Sequence, residues 1–148
     1  MPKSILLVVA RVLLAFIFIA SGLPKLFDAS QTAGMIETAG LPAPTLLAYL
    51  AGIFEVAAGA AVLVGFQTTI AAGALALFCL FTAFVFHSGP IEVPSFPPEA
   101  NGYLSAMNQI MMFKNITLAG AYLLLATVGA GGISLDARLQ GKSGHVKA

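Results

Sequence analysis

Charge is what this sequence has least of: 9% of its 148 residues are Asp, Glu, Lys or Arg, against about 25% in a soluble domain. One cysteine, Cys79, set between Phe78 and Leu80, excludes an internal disulfide, a CxxC couple and any intramolecular dithiol chemistry. Of two histidines only His87 lies in an apolar run, the other being His145 near the end of the chain. Bis-histidine haem ligation within the chain is thereby excluded, and no metal site is expected. There is no basic run and no acidic run, and net charge is +1, so nothing points to nucleic acid or to electrostatic docking on a lipid surface. A phosphate-cradling glycine loop, a nucleophile elbow and an HExxH pattern are also missing. The glycines of "GAGG" at 129–132 read as a helix end.

What the chain has instead is apolar length, with 59% hydrophobic residues and a mean hydropathy of +0.95. A hydrocarbon core of roughly 30 Å takes about 20 helical residues to cross. Four runs qualify, at about 5–27, 46–66, 70–87 and 107–129, and the last does so only if Lys114 and Asn115 lie inside it or at its edge. The expected fold is an all-α bundle of four transmembrane helices in one domain over 1–148, with a polar tail at 134–148. The first run follows Lys3 but carries Arg11 and outruns a signal-peptide core, so it reads as a retained helix.

Two longer connections, Asp28 to Thr45 and Ser88 to Ala106, fall on one side, and the short "GFQTT" turn falls on the other with both termini. Lys3, Arg138, Lys142 and Lys147 flank the termini, while Asp28, Glu37, Glu92 and Glu99 occupy the long loops. By the positive-inside rule both termini are expected in the cytoplasm. In the first loop Ser30 offers a cap, Met35, Ile36 and Ala39 an apolar side, and Gly40 and Pro42 a stop, which predicts a short interfacial helix. The second loop has four prolines and is expected to be extended, a connector more than a lid.

An ionisable side chain at mid-membrane costs about 2.5–3.5 kcal/mol, so such groups face the bundle interior and pair. Helical spacing puts Ala48, Gly52, Glu55 and Gly59 on one stripe and Arg11, Ala15, Phe18, Gly22 and Lys25 on another. Gly73, Ala76, Leu80, Ala83 and His87 form a third, and Asn108, Met111, Asn115, Leu118 or Ala119, and Tyr122 a fourth, with Gln109 and Lys114 beside it. Gly22, Gly52, Gly59 and Gly73 are the expected close-packing positions. Depth estimated from helical rise places Arg11 within reach of Glu55 and makes it the expected counter-ion, with Lys114 less favoured. Arg11, Lys25, Glu55, His87, Gln109, Lys114 and Asn115 then bound either a network that only fixes helix register or a site for a proton, an anion or a small polar headgroup.

In "RVLLAFIFIASGLPKLFD", "AGLPAP", "GIFEVAAGAAVLVG", the histidine after "FTAFVF" and "NQIMMFKNITLAGAYLLL", the chain resembles the DoxX family of small four-helix membrane proteins over about residues 8 to 128. The resemblance implies multi-pass residence in a bacterial plasma (inner) membrane and marks Arg11, Gly22, Lys25, Glu55, Gly59, His87, Gln109, Lys114 and Asn115 as positions of interest. The family name is tied to a membrane subunit of a thiosulfate:quinone oxidoreductase, relatives are linked to thiol-stress complexes, and distant relatives resemble cargo receptors. It implies an accessory membrane subunit of a quinone-linked redox complex. The chain itself carries no complete redox centre, so a quinone or a redox enzyme partner would supply that chemistry. Two other classes stay open: a non-catalytic scaffold or assembly protein, homo-oligomeric or not, and a small proton-coupled carrier built on Arg11 facing Glu55.

Overall fold

The computed structural model describes residues 3–144, with side chains as far as Gly141. His145, Lys147 and the side chain of Lys142 lie outside the described residues. The described chain is helical: α1 Lys3–Phe27, α2 Ser30–Thr38, α3 Pro44–Val64, α4 Thr68–Phe86, α5 Pro98–Val128 and α6 Leu135–Gly144. Of these, α1, α3, α4 and α5 are long and apolar enough to cross a membrane. They alternate in direction, so α2 and the 87–97 connection lie at one end, and the α3–α4 turn lies at the other with α6.

Inside the bundle α1 packs along α3 and α4 along α5, and α3 and α4 touch less. Glycine sets the first of these seams. A Cβ on Gly22 would sit 2.9 Å from the Gly52 carbonyl oxygen, one on Gly59 3.3 Å from Phe18 Cβ, and one on Gly65 would overlap Arg11. The antiparallel register is therefore residue 22 against 52, 18 against 59 and 11 against 65. Gly73, expected in the same role, has open space where its Cβ would be. The buried face of α4 runs through Ala72, Leu75, Ala76, Cys79 and Ala83, a stripe rotated by about one residue from the expected one.

The half of the bundle nearest the α3–α4 turn is solid. Ala58, Val62, Ala72, Leu75, Ala76, Ala119, Tyr122 and Leu125 fill it, and the Tyr122 hydroxyl donates to the Leu14 carbonyl at 2.8 Å. Phe18 meets Tyr122 and Phe78 edge to face, with centroids 5.5 and 6.1 Å apart, and Phe54 lies 5.2 Å from Phe78. These rings form a floor across the middle.

At the opposite end α2 lies against α3 through Ala29, Ile36 and Ala48, joined by Leu41, Leu47 and Phe86. Ser30 does not cap it. Ala29 holds the cap position, and the Asp28 carboxylate accepts from the Ser30 amide at 2.9 Å, which draws the Asp28 pKa below its ordinary value. Met35 and Ala39 stay exposed, because a turn this short buries one side chain, Ile36. Its end is a Schellman motif: Gly40, at φ +72°, donates to Glu37, and Leu41 donates to Ile36.

The largest departure from the expected helix bounds is at α5, which starts at Pro98 rather than near 107. Pro97 and Pro98 read as loop punctuation, yet a proline at the first helical position loses no hydrogen bond, and Glu99 in the first turn complements the helix dipole. The irregular stretch shrinks to 87–97 and is tied to α5, since Asn101 bonds both backbone groups of Val93 and Ser105 those of Ile91.

At the turn end α6, the described part of the polar tail, caps α4 from outside it. Asp136 accepts from the amides of Gln67 at 2.7 Å and Thr68 at 3.0 Å, and its own amide donates to Gly65 at 2.8 Å. Partial burial pushes the Asp136 carboxyl pKa up, but the Thr68 and Gln67 hydrogen bonds and the charge of Arg11 outweigh it, and the net value lies below the ordinary 3.8. A depressed folded-state pKa contributes stability that is present above the unfolded value and is lost as pH falls through the folded one. Asp136→Ala is therefore expected to cost about 1–2 kcal/mol at neutral pH and to flatten the loss of stability below pH 4. Detergent-resistance curves at neutral and acid pH check both, and equal acid sensitivity in the two proteins would contradict the second.

Candidate functional site

Glu55 is 4% exposed and its carboxylate is met from α1. Lys25 Nζ lies 2.6 Å from Glu55 Oε2, the only ion pair among the described residues. Ser21 Oγ donates to the same oxygen at 2.8 Å, and Lys25 Nζ also donates to the Ser21 carbonyl at 3.0 Å. Helical geometry makes this one unit, since Ser21 and Lys25 are four residues apart on one face.

Arg11 is not the counter-ion. Register puts it opposite Gly65, eleven residues or about 16 Å of helix below the level of Gly22 and Glu55. Buried to 2% exposure, it donates from Nη2 to the Ile133 carbonyl at 2.6 Å, and the acid whose charge acts on it is Asp136. Its Nε and Nη1 have no hydrogen-bond partner among the described residues. It belongs to the clasp between α1, the α3–α4 turn and the α5–α6 connection.

Above the aromatic floor the four spans and α2 enclose a cavity of about 800 Å³, within the range that holds small ligands. Ser21, Lys25, Glu55, His87, Lys114 and Asn115 supply polar lining together with Gln31, Thr32 and Thr82, and phenylalanines, leucines and alanines supply most of the rest. Asn115 donates to Thr82 Oγ at 3.0 Å, and Thr82 in turn donates to the carbonyls of Phe78 and Cys79. Lys114 is exposed. Its Nζ has only a weak donor contact, 3.4 Å to Met111 Sδ, and among the described residues no carboxylate answers it.

His87 is held by a residue that the expected set left out. Its Nδ1 lies 2.7 Å from Asn108 Oδ1, and the Asn108 amide donates to the Gly89 carbonyl at 2.9 Å. The Asn108 oxygen therefore faces the ring, so Nδ1 carries the proton and Nε2 is the open position. Gln109, which was in the expected set, is exposed and does not line the cavity, because one residue along a helix turns a side chain by about 100°. The buried stripe of α5, through Asn108, Asn115, Ala119 and Tyr122, already contained the signal for Asn108.

Lys25, Glu55, His87, Lys114 and Asn115 are thus brought to one cavity, and Arg11 and Gln109 are not. The arrangement offers donors and one carboxylate at its polar end and apolar walls elsewhere, a shape suited to a headgroup on a greasy tail.

The DoxX family model matches residues 6–88. Two Escherichia coli K12 proteins are similar to almost the whole chain. One, called inner membrane protein YphA, is 35% identical over 92% of this chain and 91% of its own length. The other, called inner membrane protein YqjF, is 34% identical over 90% of this chain and 92% of its own length. No solved structure matches.

Proposed function

The chain belongs to the DoxX family of membrane proteins, and from that premise we propose that it is an accessory membrane subunit of a quinone-linked redox complex, its cavity receiving the quinone headgroup. It is a multi-pass protein of the bacterial inner membrane. The observation that carries the reading is the cavity itself, largely apolar, with Lys25, Glu55, His87, Lys114 and Asn115 among its lining, and large enough for a substituted ring. A bound quinone supplies the two-electron chemistry for which a chain with one cysteine has no dithiol.

The chain's own residues bind and orient. Lys114, with no acid to neutralise it among the described residues, donates to a quinone carbonyl, and the Lys25–Glu55–Ser21 unit holds the wall beside it rigid. Nε2 of His87 accepts a hydrogen bond or takes a proton at the end of the cavity nearest the surface. The carrier alternative drew on Arg11 facing Glu55, and those two side chains are separated by the register of α1 on α3.

Purified protein in nanodiscs is expected to bind a tail-less benzoquinone saturably. Lys114→Ala is expected to weaken that binding about tenfold or more, the worth of one charge-assisted hydrogen bond, while labelling of buried Cys79 stays as slow as in the parent. No saturable binding to the parent protein overturns the quinone reading. Equal binding by parent and variant removes Lys114 from it.

A further inference from the structure

We infer that the ligand reaches this cavity sideways from the bilayer, through an apolar gap between α3 and α4, and that its tail stays in that gap between Leu50 and Phe81. The inference rests on the quinone reading for the ligand's headgroup, but the gap is read from geometry alone.

Three side chains carry it. Leu50, Leu77 and Phe81 line the cavity, and they are 50%, 69% and 49% exposed. Lining side chains this exposed mark where the wall of the cavity opens. All three lie on the facing stripes of α3 and α4. Those helices are held together at the Gly65–Gln67 turn by the Asp136 cap and at mid-height by the Phe54–Phe78 contact. Beyond it, Phe86 of α4 packs on the Ile36–Ala48 cluster at the α2 end, and Leu50 and Phe81 fall between the two contacts.

The opening also lies at a depth where a tail is at home. Leu50 is six residues into α3 and Phe81 five residues from the end of α4, which puts both about 8–9 Å inside the ends of their spans, in the hydrocarbon. The end of the cavity is roofed by α2, whose Gln31, Thr32 and Met35 line it and whose Ile36 is locked against Ala48. Gln31 and Met35 are also exposed, so this end opens toward water, which suits the headgroup and not the tail.

By the same measure a further opening lies across the bundle, between Ser21 on α1 and Lys114 on α5, since both are exposed and both line the cavity. Its rim carries a hydroxyl and an amine, groups that an alkyl or isoprenoid tail would desolvate without return. The α1–α5 side carries Ser21, Lys25, Lys114 and Asn115, and the gap itself is lined by Leu50, Leu77 and Phe81, so an amphiphile lies across the bundle, headgroup toward α1 and α5, tail out between α3 and α4. That orientation selects a membrane-dissolved ligand with a single apolar tail over a water-soluble one.

The test uses the full chain in vesicles with an isoprenoid benzoquinone carrying a photoactivatable diazirine in the isoprenoid unit next to the ring. Crosslinks that excess tail-less benzoquinone competes away are expected at Leu50, Leu77 or Phe81. Leu50→Trp, which narrows the gap, is expected to cut crosslinking at least tenfold while tail-less binding changes less than twofold, and Phe81→Ala, which widens it, to leave crosslinking intact. Competed crosslinks at Ile17, Ser21 or Leu118 overturn the portal and leave the quinone site standing. Tail-less binding without any crosslink to α3 or α4 also overturns the portal. Failure of the tail-less quinone to bind overturns both readings.

Discussion

Lys25→Met is expected to destabilise the bundle by about 3–5 kcal/mol, the cost of leaving one member of a buried pair without its partner, whereas Lys25→Met with Glu55→Gln is expected to recover most of that loss. The two ends of the pair are not equivalent. Glu55 sits at 5% side-chain exposure in mid-span, while the Lys25 side chain is 18% exposed and lies two residues from the end of α1. If Glu55→Gln neutralises the acid, the Lys25 amine can extend toward the membrane surface along its apolar stem, and the amide oxygen of the new side chain still accepts from Ser21. Glu55→Gln alone should then cost about 1 kcal/mol. If Lys25 is removed, the carboxylate has only the Ser21 hydroxyl.

The measurement is a denaturing-detergent titration followed by thiol labelling of Cys79, the only cysteine and a buried one, so its labelling reports opening of the core. A double-mutant cycle on these four proteins isolates the pair. If Lys25→Met and Glu55→Gln prove equally mild, the pair contributes no net stability. The 2.6 Å contact would then matter only for ligand geometry.

The faces of the helices were legible from spacing, and their relative heights were not. Period alone puts Arg11, Ala15, Phe18 and Gly22 on one side of α1, and these are the residues it buries. Which of Arg11 and Lys25 meets Glu55 depends on how far α1 slides along α3. That slide is fixed by backbone contact at Gly22 and Gly52, which no local pattern announces. The same limit explains Asp136, whose capping of Gln67 and Thr68 spans 69 and 68 residues of sequence. Gln109 failed differently: it lies beside the stripe that holds Asn108, and one residue of rotation turns its side chain outward.

Since that slide decides the site, the glycines that set it are where a single methyl group should do most harm. Gly22→Val is expected to cost about 3 kcal/mol or more, at the upper end of overpacking effects. The first carbon added there lands 2.9 Å from Gly52 O, Glu55 Cβ and Val56 Cγ2. Side-chain ends can rotate away, but the Gly52 carbonyl is part of a hydrogen-bonded helix and cannot, so α1 must move off α3. Lys25 lies three residues further along the same seam, and a Cβ on Gly52 would meet Lys25 Cβ at 2.9 Å, so any such movement also lengthens the bond to Glu55. Gly73→Ala and Gly120→Ala supply the contrast, because neither added methyl meets another part of the fold and each gains helix propensity of about 1 kcal/mol. In the Cys79 labelling assay Gly22→Val should open at much lower detergent than the parent, with Gly73→Ala and Gly120→Ala matching or exceeding it. Should Gly22→Val resist detergent as well as Gly73→Ala does, α1 does not approach α3 backbone to backbone. The pairing of Lys25 with Glu55 would then need another cause.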